Sequence, residues 1–171
     1  MFPINLRSFT SSKPTSKSKY FLLKKDFHNF VEIFFFVTTP KHRERLIQED
    51  FLDDRWKMMV ACILLNQTNN KQVRPILDNL FSLIPGPEKA ISTRPEDIAE
   101  IIKSTGFQNV KAERIIKLSR KWIDGFIDPS ELPGIGKYGK DSWEIFVNQN
   151  HRIDTQDKKL KMYLSAIGEP K

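Results

Sequence analysis

Ser130-Glu-Leu-Pro-Gly-Ile-Gly-Lys-Tyr-Gly139 is the stretch of this 171-residue chain on which the fold turns. Gly134 and Gly136 flank one aliphatic residue, Ile135. That pattern permits a tight hairpin in backbone conformations closed to residues with a Cβ, while Ile135 plugs the core between two helices. The helix that follows, expected over residues 138–147, presents unpaired N–H groups and the positive end of its dipole to solvent. Such a helix start is an anion site suited to phosphate, and Lys137 and Lys140 add counter-charge.

Outward from the hairpin the pattern is helical on both sides. On the C-terminal side Thr155 can cap a helix over 156–167, and Asp157 would then complement its dipole. On the N-terminal side Asn109 can cap a long helix whose Ala112, Ile115, Ile116, Leu118, Trp122 and Ile123 face inward and which Gly125 ends. Thr93 and Glu96 form a capping-box pattern with Pro95 in the first turn, so Ile98, Ile101 and Ile102 make the inner face of a short helix stopped by Gly106. Thr68 or Asn69 can start a helix in which Val73, Ile76, Leu77, Leu80, Phe81 and Ile84 form one buried stripe, ended by Pro85 and Pro87. Trp56 to Leu65 is apolar nearly all round and belongs at the centre of the domain. A first helix is expected from Arg45 and Leu46 through Phe51 to Trp56. The reading is all-α, one domain over residues 42–171.

Composition sets limits on function. Lys and Arg outnumber Asp and Glu by 28 to 21, but the excess is concentrated at the start, where Arg7, Lys13, Lys17, Lys19, Lys24 and Lys25 meet no acid. Residues 1–41 read as a basic, disordered tail with a short apolar segment, Phe30 to Val37, too short for a membrane span. The folded part is nearly balanced in charge, so it would hold a polyanion through a local patch and not through its net field. Cys62 is the only cysteine, which excludes a disulfide framework and a Cys-ligated zinc or iron–sulfur site. His28, His42 and His151 lack metal-ligand spacing, and no metal is assigned.

The string Leu132-Pro-Gly-Ile-Gly-Lys-Tyr138 between two helices resembles the hairpin of the helix-hairpin-helix DNA glycosylase superfamily. Three further segments resemble its thymine/uracil mismatch branch, found attached to methyl-CpG-binding domains: Leu46 to Leu52, Trp56-Lys leading into Leu65-Asn-Gln-Thr68, and Asp157-Lys-Lys-Leu-Lys-Met-Tyr163. Together they span residues 44–167 in order. The resemblance implies that superfamily's fold, with an active-site cleft between two helical subdomains. It places the catalytic aspartate at Asp157. The rival is Asp154, because Ile153-Asp154-Thr155-Gln156 resembles the string that carries the aspartate in the wider superfamily.

The remaining roles follow from the same resemblance. Leu132, Gly134, Ile135, Gly136, Lys137, Gly139 and Lys140 form the phosphate-gripping hairpin, and Gln48, Tyr138 and Lys159 lie near the extruded base. Gln67 fills the hole that the base leaves, although the mismatch branch carries arginine there, and Phe107 presses on the partner strand or else makes a core contact. Tyr138 stands where strand-cleaving members carry a Schiff-base lysine, and a phenol cannot replace an amine. The implied protein is a monomeric, monofunctional enzyme of base excision repair. It excises thymine or uracil opposite guanine from double-stranded DNA, with no cofactor and no membrane attachment. The alternative is an inactive DNA-binding module that kept only the hairpin. The expected location is nuclear, or mitochondrial if the acid-free first 25 residues act as a transit sequence.

Overall fold

The computed structural model describes residues 44–168. The basic tail and the run Phe30 to Val37 lie outside them, so the domain boundary at residue 42 rests on the sequence. Among the described residues every regular element is helical. The α-helices are α1 (Arg55–Leu65), α2 (Asn70–Val73), α3 (Leu77–Leu83), α4 (Pro87–Ser92), α5 (Pro95–Ile102), α6 (Gln108–Asp124), α7 (Lys137–Phe146) and α8 (Lys158–Ile167). Short 3₁₀ turns at Ile47–Asp50, Arg74–Ile76, Lys103–Thr105 and Pro129–Glu131 join them.

Helix α1 is the axis of the domain, as its all-round apolarity requires. Trp56 and the unbroken run Met58 to Leu64 are buried. Asp54 caps it by accepting from the Lys57 amide at 3.0 Å. Helix α6 packs along α1, α4 and α5, and α7 also packs against α1. A buried polar pair ties α1 to α6: Trp56 Nε1 donates to Ser119 Oγ at 3.1 Å, and that hydroxyl donates to Ile115 O at 2.7 Å. Neither polar group is left unpaired in the core, where an orphan would cost about 1–3 kcal/mol.

Several local expectations are corrected. No helix runs from Arg45 to Trp56; a 3₁₀ turn covers Ile47–Asp50, and α1 starts after Asp54. The stripe from Val73 to Ile84 is broken into α2, a 3₁₀ turn and α3, because Pro75 has no N–H to continue an α-helical ladder. Pro87 opens α4 instead of ending a helix, in the first-turn position that suits it. Thr93 forms no capping box with Glu96; its hydroxyl donates backward to Lys89 O at 2.7 Å, and Arg94 is the uncapped N-cap of α5. Asn109 does not cap α6, which begins one residue earlier, after a left-handed Phe107. Ile123 is half exposed and not part of the inner face. Thr155 does not cap α8: its Oγ1 accepts from the Asp157 amide at 3.3 Å, and Asp157 is the cap.

Candidate active site

A cleft of about 470 Å³ opens on the face where the C-terminal end of α1 meets the hairpin and the first turns of α7 and α8. One wall is Cys62 and the segment from Leu65 to Asn70; the other is the segment from Gly134 to Gly139 together with Asp157, Lys158 and Lys159. That volume lies within the range of small-molecule sites and can accept one nucleoside.

The hairpin builds the second wall. Leu132 and Ile135 are buried, and the Ile135 amide donates to Leu132 O at 3.0 Å to close the turn. Of the two flanking glycines only Gly134 takes a left-handed conformation, φ +87°, and a Cβ there would also press on the Arg114 side chain. Gly136 is extended and serves as the N-cap of α7 with no side-chain cap, so the first N–H groups of α7 remain open to an anion. Gly139 plays a packing part: a Cβ would meet Ile135 Cγ2 at 2.8 Å and lie 3.6 Å from Cys62 Cβ, so its absence lets α7 close on α1 and the hairpin. Both hairpin lysines have internal partners. Lys137 Nζ lies 3.1 Å from each Asp141 oxygen and 3.4 Å from Asp154 O, while Lys140 Nζ lies 3.2 Å from Asp128 Oδ2.

Asp157 and Asp154 part company here. Asp157 is half-buried and lines the cleft; its Oδ1 accepts from the Lys159 and Leu160 amides, each at 2.9 Å, while Oδ2 has no partner among the described residues. Asp154 is exposed, is absent from the cleft lining, and has a weak contact at 3.4 Å from Gln156 Nε2. One carboxylate oxygen is thus fixed by the helix start and the other is available to a reactant.

Tyr138 lines the cleft, and Gln48, expected near the base, lies behind it and outside the lining. Gln48 is fully buried on the first 3₁₀ turn and touches the lining from beneath: its Nε2 donates to Tyr138 Oη at 2.6 Å and to Ser142 Oγ at 3.0 Å, and lies 3.9 Å from Cys62 Sγ. Its Oε1 is buried with no partner. Because Tyr138 Oη accepts from Gln48, its own proton is left to point elsewhere. Burial above all, with the Cys62 and Asp157 groups nearby, pushes the Tyr138 phenol well above its ordinary range, so that proton is retained. Burial likewise pushes the Cys62 thiol up to about 12, which makes it a packed, neutral group and not a nucleophile. Lys159 lines the cleft with its Nζ on Glu44 Oε2 at 3.0 Å, and this bond is the first cause of a lowered Glu44 carboxyl.

Gln67 and Phe107 stand on two loops beside the cleft. Both are exposed, Phe107 to 67%, which removes the core-contact reading of its ring. Among the described residues only three non-glycine residues have left-handed φ, and two are these, at +55° and +50°. Such backbone costs about 1–3 kcal/mol per residue and persists only where the surroundings impose it. Sequence reasoning missed the group that joins the two loops: Lys111, 2% exposed on α6, whose ammonium donates to Thr68 Oγ1 on one and to Thr105 O on the other. The only sign in the sequence is that Lys111 precedes Ala112 on a helix whose inner face begins there. No group of three or more His, Cys, Asp or Glu able to hold a metal gathers among the described residues, and none of their helices is long and apolar enough to cross a membrane.

The chain is similar to known proteins. The chain is 33% identical over 126 residues to a methyl-CpG-binding domain protein 4-like protein of Arabidopsis thaliana, covering 72% of this chain and 28% of that one. It is 32% identical over 94 residues to a thymine-DNA glycosylase of Aeropyrum pernix, covering 50% and 42%. The chain therefore spans less than half the length of either relative. A solved structure of a thermostable thymine-DNA glycosylase superposes with a TM-score of 0.53 at 27% identity, covering 57% of this chain and 49% of that one. Residues 60–167, which hold the C-terminal half of the axial helix, the hairpin and the Asp157 cap, match the family model itself, and the chain belongs to the HhH-GPD superfamily of base excision DNA repair proteins.

Proposed function

We propose that this domain is a monofunctional DNA glycosylase that hydrolyses the N-glycosidic bond of uracil or thymine mispaired with guanine. The observation that carries the reading is Asp157, a carboxylate on the cleft with one oxygen pinned by two helix amides and the other unpartnered. Breaking the bond between C1′ and the base sends the electron pair to the base and leaves positive charge on the sugar. A fixed carboxylate stabilises that charge and orients and deprotonates the attacking water. The Tyr138 proton, directed away from Gln48, suits a carbonyl oxygen of the departing pyrimidine, on which negative charge collects. The open start of α7 and the exposed Gln67 and Phe107 fit a duplex held by its phosphates with one base extruded.

A phenol at position 138 supports hydrolysis without strand cleavage, since no amine is offered at that place. Of the three lysines on the cleft lining, Lys137 and Lys159 are engaged with Asp141 and Glu44, whereas Lys158 is exposed without an ion pair among the described residues. The protein would act as a monomer wherever its duplex lies, in the nucleus or in mitochondria. One observation favours the second reading, a DNA-binding module without chemistry: Asp157 already has a structural task as helix cap.

A substrate panel decides between them. Uracil, thymine, 5-hydroxymethyluracil and oxidised bases are placed in single strands and opposite each partner base, and alkali-labile sites are scored. The proposal predicts base loss from G·U and G·T duplexes first. Binding without base loss across the whole panel selects the inactive module.

A further inference from the structure

The ammonium of Lys111 is buried without an ion pair among the described residues, yet all three of its protons are placed. Nζ donates to Leu64 O at 3.0 Å, to Thr68 Oγ1 at 2.7 Å and to Thr105 O at 2.9 Å. Leu64 is in the last turn of α1, where the carbonyls lack helical partners and the dipole is negative. Thr68 follows Gln67, and Thr105 precedes Gly106 and Phe107. The Thr68 hydroxyl donates to Thr105 O at 2.8 Å, so one carbonyl is shared by the lysine and the threonine and the two loops are laced together. A second tie, Gln72 Nε2 to Ser104 O at 3.2 Å, runs the same way.

Burying a charge without a counter-ion is expensive, and an apolar side chain at a core position would serve packing as well. What an apolar side chain would not do is hold three acceptors on two loops in fixed relation. Each loop presents an exposed residue in strained left-handed backbone beside the cleft, Gln67 on one and Phe107 on the other. We infer that Lys111 is a positioning residue that locks the Gln67 and Phe107 loops into one rigid unit, so that both side chains enter the duplex together when a base is extruded. The inference rests on the base-extrusion reading above and adds to it a residue that never touches DNA.

The test separates insertion from both binding and chemistry. The probe is a duplex carrying 2-aminopurine beside a non-cleavable 2′-fluorouridine opposite guanine, whose fluorescence rises when the neighbouring base leaves the stack. Wild type is compared with Lys111→Met, Lys111→Arg and Thr68→Val, and each protein's melting temperature and duplex affinity are measured alongside. Lys111→Met should bind with nearly unchanged affinity, because the hairpin is intact, but lose most of the fluorescence rise and slow duplex excision by about tenfold or more. Lys111→Arg, which keeps a cation and several donors, should recover part of the rise. Thr68→Val removes only a hydroxyl and should shift the rise in the same direction, which decides the matter if Lys111→Met folds poorly. A full rise with Lys111→Met or with Thr68→Val overturns the inference alone. A wild type that binds the duplex without any rise overturns the base-extrusion reading and this inference with it.

Discussion

Replacing Asp157 by asparagine and, separately, by alanine divides the two tasks that the structure gives this residue. As N-cap of α8, Asp157 Oδ1 accepts from the Lys159 and Leu160 amides. Asparagine keeps an oxygen in that place and is as good a cap, so Asp157→Asn should change stability by only a few tenths of a kcal/mol. Alanine removes the cap and should cost about 1 kcal/mol. Chemistry should respond differently. A carboxylate about 4 Å from a developing positive charge, at an effective dielectric near 20, contributes about 4 kcal/mol, or about a thousandfold in rate. Both variants should therefore fall by about that factor in single-turnover release of uracil from a G·U duplex, while only the alanine variant melts earlier. The assay is denaturing electrophoresis after alkali, run beside thermal denaturation. An Asp157→Asn enzyme of wild-type rate would refute the reasoning, and an inactive Asp154→Asn with active Asp157→Asn would transfer the role to the exposed rival.

Three other substitutions test neighbouring claims. Tyr138→Phe removes the phenol proton proposed above to meet the leaving base and should slow excision by about tenfold or more without altering duplex affinity; an unchanged rate would remove Tyr138 from the chemistry. Gly139→Ala places a methyl 2.8 Å from Ile135 Cγ2 and should cost about 1–3 kcal/mol, read as a drop of several degrees in melting temperature; an unshifted melt would mean that the hairpin yields easily. Burial, with Arg114 nearby, lowers the Lys111 ammonium from 10.5 to about 8. Below the lower value the group is charged in both folded and unfolded chains, and the full cost of burying the charge applies. Between the two values the unfolded chain binds more protons, so wild-type stability relative to Lys111→Met should rise with pH, by at most about 3 kcal/mol. Urea titrations at pH 7 and pH 10 would show it, and a difference that stays flat or falls would contradict the burial.

What the sequence discloses about this fold is what short-range physics dictates. The run from Trp56 to Leu65 has no polar face to give to solvent, and it becomes the axis. Gly134 in the hairpin and the glycine stops at Gly106 and Gly125 take left-handed backbone that few other residues supply, and they stand where expected, whereas Gly136 is extended and needs no such freedom. Caps were harder, because Thr93, Asn109 and Thr155 each have a competing local partner or place: Thr93 turns back to Lys89 O, and Thr155 serves the Asp157 amide. The candidate cleft was legible where a motif carries it, at Asp157 and Tyr138. It was illegible at Lys111, since a lysine at the edge of a helix face reads as solvated until residues 64, 68 and 105 are brought around it by long-range packing.

The central claim is that the cleft removes a base and leaves the strand whole. A mass spectrum of a uracil-containing strand, taken after incubation of its G·U duplex with the purified domain, tests it most directly. The account predicts an intact strand lighter by one uracil and heavier by one water, with free uracil released. An unchanged strand under conditions where the duplex is bound would contradict the chemistry assigned to Asp157, and a cleaved strand would contradict the consequence drawn from Tyr138.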